Sequence, residues 1–234
     1  MNVLVSVLIL FLAMLIQVFM QLSPGIFALF YHYALGKKSR QKADDLSPYF
    51  ILGYELFIAA IFFIPCIFIF NLDHYSLIDF KYLSWVLAGI FVAEAFASLF
   101  FYYRKGKTTE LFLSRKFAKG IEHRAKRINT KPDAFILGFL SSLPELLFTL
   151  PLYLAVIVAL IDFTILPRAT VLILFLIVAL SPLFWLFAYY HTDHHLANFI
   201  RLRLKLKPLV KTILFLGFLS LAAIIILGVL NYGR

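Results

Sequence analysis

The sequence predicts an all-α membrane protein: six transmembrane helices arranged as two inverted three-helix repeats, with helices 1 and 4 broken. Three observations lead there. Hydrophobic residues make up 63% of the 234 and charged residues 15%, where soluble domains carry about 25% charged. A soluble fold of this length has no interior large enough to hide so much apolar surface. Several runs almost free of charge exceed the ~18–20 residues that cross a bilayer. Two of those runs are interrupted by proline at matching places. The stretch Ser23-Pro24-Gly25 through Tyr33 aligns without gaps on Leu143-Pro144-Glu145 through Tyr153.

The chain reads as one transmembrane domain, 1–234, with a first repeat over 1–103, a basic loop over 104–132 and a second repeat over 133–234. Asn2 to Leu35 is apolar but too long for one plain span. Gln17, Gln21, Ser23, Pro24 and Gly25 interrupt it, so two half-helices joined by a break are expected. A cleaved signal peptide would want a basic start and a small-residue cleavage site, and Met1-Asn2-Val3-Leu4 offers no Lys or Arg. Gly36 to Ser47 reads as a polar loop, Pro48 to Asn71 as the second span and Tyr82 to Tyr103 as the third. Arg104 to Lys131 is hydrophilic and largely helix-compatible. Leu111, Phe112, Leu113, Phe117 and Ile121 give it a partial apolar face suited to a membrane surface. Asp133 to Ile161 is the fourth span and holds the second interruption, with a further proline at Pro151. Ala169 to Tyr190 is the fifth. His191 to Lys207 reads as a polar loop, and Pro208 to Tyr232 is the sixth span.

Charge sets the expected orientation. Nineteen of the 22 Lys and Arg lie in the segments after spans one, three and five. By the positive-inside rule these segments are cytoplasmic and both termini outside, in a bacterial or archaeal cytoplasmic membrane. The same asymmetry accounts for the net charge of +10, so a nucleic-acid partner is not needed. The partners expected are the lipid bilayer and a small solute or ion, with a homo-oligomer possible. Cys66, the single cysteine, excludes an internal disulfide or a paired-thiol redox site and reads as a small buried hydrophobe.

Chemistry at membrane depth comes from carboxylates. Glu55, Glu94 and Glu145 fall in three different spans, and ionisable residues there mark functional sites by default. A buried Glu can exchange protons near neutral pH, and its oxygens also suit hard cations. The alternative for each is a protonated packing residue. Glu145 is favoured because Pro144 beside it frees backbone groups in a place tolerated only against protein or water. Gln17 and Gln21, four apart, share a helix face and either line the same site or bond a neighbouring span. Tyr33 and Tyr153 are expected at the membrane interfaces. His191, Asp193, His194 and His195 could bind a divalent metal, or serve as ordinary polar residues at a span's edge. No cofactor is expected beyond such a possible metal ion.

The layout resembles the lysine-exporter (LysE-type) superfamily of small efflux proteins. Ser23-Pro24-Gly25 stands where that family has its first-span Pro-Gly motif. Gly138-Phe139-Leu140 through Pro144-Glu145, then Phe148 and Pro151, stands where it has its fourth-span motif. Ile26 and Glu145 depart from the family pattern, and no Asn precedes Pro144. The resemblance implies a non-enzymatic, proton- or ion-coupled secondary efflux transporter, with amino acids, small metabolites and metal ions all open as cargo. Two other readings are kept. One is a membrane-embedded enzyme using the His191/Asp193/His194/His195 cluster, although no HExxH or GxSxG motif is present. The other is a non-catalytic scaffold that docks partners on the 104–131 segment.

Overall fold

The computed structural model describes residues 3–21, 23–37, 40–74, 80–100, 115–161, 163–191 and 196–232. Nine α-helices run through them: α1 (Val3–Met20), α2 (Ser23–Lys37), α3 (Arg40–His74), α4 (Phe80–Phe100), α5 (Arg115–Arg127), α6 (Lys131–Ser141), α7 (Leu146–Leu160), α8 (Ile165–His191) and α9 (Leu196–Tyr232). Among the described residues there is no strand. Six spans are long and apolar enough to cross a membrane, which makes this a multi-pass membrane protein by length and composition: 3–34, 41–71, 81–100, 131–160, 167–189 and 208–230. Their outward faces carry side chains such as Ile64, Leu147, Ile177 and Trp185, each more than half exposed. A soluble protein does not leave so many large apolar groups uncovered.

Both expected interruptions are present. The first span stops at Met20 and resumes at Ser23. In the fourth, α6 ends at Ser141, a single 3-10 turn covers Leu143–Glu145, and α7 follows. Pro144 has no N–H to give, and the tighter turn is closed by the Glu145 N–H on the Ser142 carbonyl at 3.0 Å. Three hydroxyls bond carbonyls around the break: Ser141 on Gly138, Ser142 on Phe139 and Thr149 on Glu145, at 2.6, 2.7 and 3.0 Å. They bind polar groups that lipid would leave bare. At its start α6 is capped by Thr130, whose hydroxyl accepts from the Asp133 N–H, with Pro132 in the first turn.

Two segments expected to be loops are helical instead. α3 begins at Arg40, so most of 36–47 extends that helix. α9 begins at Leu196 and runs through Pro208. Polarity was the wrong signal here, because a helix leaving the bilayer keeps its geometry while its side chains turn polar. Arg40-Gln41-Lys42-Ala43 are good helix formers. At 35 and 37 residues, α3 and α9 reach about 52 and 55 Å, beyond the ~30 Å hydrocarbon layer.

Pairing follows the apolar faces. α4 packs chiefly on α9, α3 on α6, and α1 on α9 and α7. The Phe91–Phe218 and Phe96–Phe215 ring pairs run α4 and α9 antiparallel. The Phe57–Phe139 and Phe62–Tyr153 pairs run α3 parallel to the fourth span. Both senses agree with alternate crossing of a membrane. Where α3 crosses α6 the backbones nearly touch, and only Gly53 and Gly138 leave room for it.

The expected surface helix exists as α5, but its apolar side meets protein. Ile121 and Ala125 are buried, and α5 packs on α2 and α6. Glu122 accepts hydrogen bonds from the Lys126 ammonium at 2.6 Å and from the Tyr33 hydroxyl at 3.3 Å, while the Lys126 ammonium lies 5.2 Å from the Tyr33 ring centre. Leu111, Phe112 and Leu113 lie outside the described residues, and the side chain of Phe117 does too.

Candidate functional site

The two broken spans meet. α1 packs on α7 and α2 on α6, and at their junction lies a group of buried polar side chains. Glu145 occupies the last position of the 3-10 turn and is 2% exposed. The Tyr54 hydroxyl of α3, itself fully buried, donates to Glu145 Oε2 at 2.9 Å. From α1, the Gln17 amide donates to the Tyr153 hydroxyl of α7 at 3.2 Å. One turn on, Gln21 donates its amide to the Ala179 carbonyl of α8. The shared face of Gln17 and Gln21 therefore looks into the bundle, where it ties α1 to α7 and α8.

Local sequence places these groups. The proline at 144 forces the turn that carries Glu145, and one helical step of about 100° separates Tyr54, facing inward, from Glu55. Glu55 is half-buried on a side shared with the exposed Leu52 and Leu56, and the hydroxyl that meets Glu145 comes from its neighbour. Pro24 and Gly25, both half-buried, open α2 just after the first break, and Pro144 is half-buried in the second. Glu94 is buried on α4, takes no part in the Tyr54–Glu145 hydrogen bond, and has no hydrogen-bond partner for either carboxylate oxygen among the described residues. Tyr153 does not sit at an interface as expected. It is fully buried between Phe62 and Phe175, because Gln17 gives its hydroxyl a partner inside the bundle. Tyr33 lies at the end of the bundle that carries α5.

Tyr54 is the residue that sequence reasoning misses. Its only signal is a tyrosine in the middle of an apolar span, which also fits plain packing. The possible metal cluster lies outside the described residues at Asp193, His194 and His195, and the side chain of His191 does too. Among the described residues no three His, Cys, Asp or Glu side chains gather as metal ligands.

At the opposite end of the bundle from α5, Arg168 closes the turn between α7 and α8. Its guanidinium donates to the carbonyls of Ile161 and Phe163 at 2.7 and 2.9 Å and lies 4.2 Å from the centre of the Phe70 ring. The carbonyls just past the C-terminus of α7 thereby gain a cationic partner.

Chemically, the central group offers a carboxylate bonded by the Tyr54 phenol, a second phenol, and two amides whose oxygens have no partner among the described residues. That is a set of acceptors and exchangeable protons enclosed among four spans. It can bind a proton or a donor-bearing ligand, but it holds no activated nucleophile. No protein-family model, no curated protein and no solved structure matches the chain.

Proposed function

We propose that the protein is a secondary efflux transporter, proton- or ion-coupled, that exports a small solute (an amino acid, small metabolite or metal ion) from the cytoplasm. The observation that carries this reading is Glu145: a carboxylate enclosed at the break of one span, beside the break of another, and bonded by Tyr54. Broken helices that meet in mid-membrane are the construction by which small transporters expose backbone and carboxylate groups to a ligand. A carboxylate at such depth is costly and is not needed merely to join helices that already pack through apolar faces.

The helix pairing supports an inverted repeat. If spans one to three correspond to four to six, the contact of the first span with the sixth mirrors that of the fourth with the third. Likewise, the contact of α3 with the fourth span mirrors that of α8 with the first. Under that reading Glu145 takes up the coupling proton or ligates a cationic cargo, while α2 and α7, on the far sides of the two breaks, move to expose the group to alternate sides. The basic ends face the cytoplasm by the positive-inside rule. The resemblance to the lysine-exporter superfamily agrees with this reading.

The test is Glu145→Gln in proteoliposomes. An imposed pH gradient is followed with an entrapped dye while a panel of amino acids and divalent chlorides is added. The amide keeps the shape and its hydrogen bonding but cannot titrate. Wild-type protein should show solute-dependent proton flux, and the variant should insert, fold and show none. Flux unchanged in the variant would remove Glu145 from the mechanism.

A further inference from the structure

Glu94 stands apart from the group around Glu145 and is unexplained by it. The residue is 6% exposed, and neither carboxylate oxygen has a hydrogen-bond partner among the described residues. The described side chains of the elements packed on α4 offer it no hydrogen bond. On α4 itself, Ser98 one turn away donates its hydroxyl to the Ala95 carbonyl at 2.7 Å, and Lys81 is 13 residues away, about 20 Å along the axis. On α9 the nearby buried side chains are Leu214, Phe218, Leu221 and Ala222, all apolar. The described cations of α9 with a described side chain, Lys205 and Lys211, lie beyond the Phe96–Phe215 contact, towards the basic end. On α7 and the turn before it the titratable groups are Tyr153 and Glu145, engaged by Gln17 and Tyr54.

Depth makes this more than a misplaced side chain. The Phe91–Phe218 and Phe96–Phe215 contacts bracket Glu94 along α4 and bracket Gly217 along α9. Gly217 in turn packs on Ile16. Glu94 therefore lies level with Ile16 and Gln17, in the layer of the bundle that holds the central polar group. Buried polar atoms without partners are rare in folded interiors, and an unpaired anion there costs several kcal/mol. Leu or Gln would fill the same space at lower cost, so packing does not account for a carboxyl.

We propose that Glu94, buried on α4 where that helix packs on α9, is a proton-binding site of its own that keeps a proton while enclosed and exchanges it when the bundle opens to water. This extends the transporter reading by a second coupling carboxyl, but the test does not require transport. N,N′-dicyclohexylcarbodiimide is apolar and reacts with protonated carboxyls. The acid oxygen bonds to the carbodiimide carbon, the acid proton moves to nitrogen, and the adduct rearranges to a stable N-acylurea with no leaving group. The purified full-length protein in detergent is treated from about pH 5 to pH 10, and the modified residue is located by mass spectrometry.

Labelling should fall on Glu94 and drop about tenfold or more towards the alkaline end, since each unit past the titration point removes a factor of ten. Glu94→Gln should abolish it, Glu94→Asp should keep it, and Glu145→Gln should leave it in place. Because the carboxyl has no partner to lose, Glu94→Gln should melt at or above the wild-type temperature. Absence of label at Glu94, label independent of pH, or a lowered melting temperature in Glu94→Gln each overturns the proposal. Labelling without any proton-coupled flux keeps the proton site and defeats the transporter reading. Glu145-dependent flux without Glu94 labelling does the reverse.

Discussion

Gly138→Ala tests the closest contact in the bundle. A Cβ on Gly138 would fall 2.8 Å from the Phe50 carbonyl carbon and 3.0 Å from its Cα. At Gly53, in the same crossing, it would fall 2.9 Å from the Phe135 carbonyl carbon and 3.1 Å from the Phe139 nitrogen. Unstrained carbons pack at about 3.5–4.0 Å, so the alanine requires α3 and α6 to part by roughly 1 Å. The obstructing atoms are all backbone, and no rotamer change relieves them. Overpacking of this kind costs about 1–3 kcal/mol. Parting the helices also draws Tyr54 of α3 from Glu145, 2.9 Å away, which puts at risk a hydrogen bond worth about 1 kcal/mol or more. The expected loss is therefore about 3 kcal/mol. It is read as a lowered melting temperature of a fluorescent fusion, heated in detergent and resolved by size exclusion. Gly53→Ala should do the same, and the double variant should lose less than the sum, because one separation relieves both clashes. A Gly138→Ala protein that melts with the wild type, or strict additivity, would refute the geometry.

Three further outcomes are expected. Tyr54→Phe should cost about 1–2 kcal/mol through the hydrogen bond lost to Glu145 and shift the pH at which proton-coupled flux is half-maximal, a shift that a purely structural tyrosine would not produce. The hydrogen bond from Lys126, helped by Tyr33, holds the Glu122 carboxyl below its ordinary range. Its contribution to docking α5 is therefore present above that range and lost as pH falls below it. Hydrogen exchange of α5, corrected for intrinsic rate, should quicken below about pH 4, and Glu122→Gln should show the loosened helix at every pH. In intact cells, with Cys66 replaced, a cysteine at Thr164 should react with an impermeant maleimide, and one at Lys119 or His123 should not. The opposite result would reverse the orientation.

Much of the fold was legible because a bilayer imposes length and polarity together. The six spans show as apolar runs, and the two breaks show as Pro24 and Pro144, since proline at that depth has few tolerated explanations. Glu145 was legible for the same reason. Its partner was not. Tyr54 lies 91 residues away, and nothing in its surroundings distinguishes an inward hydroxyl from an inward ring. Tyr153 was misplaced by a rule about where tyrosines anchor in membranes. That rule gives way when a buried donor such as Gln17 supplies the bond that water would make. The helical 40–47 and 196–207 segments show the limit of polarity as a guide, because it reports what surrounds a chain and not whether the chain is coiled. Gly53 and Gly138 read as small residues in a span, and only the crossing of α3 and α6 shows that no other residue fits.

The pairing of α4 with α9 also sets an order of events during synthesis. More than a hundred residues separate Glu94 from Phe218. At about 5–20 residues per second, roughly 5–25 seconds pass between the emergence of the two. For that interval the inner face of the third span, with its carboxyl, has no cover from the sixth, and it must rest against the insertion machinery or lipid. The turn closed by Arg168 has no such delay, since the carbonyls of Ile161 and Phe163 and the ring of Phe70 have all been made before it. The fourth and fifth spans can thus lock as a hairpin while the third still waits, and a nascent chain that stops short of α9 leaves that face open for the quality-control proteases of the membrane.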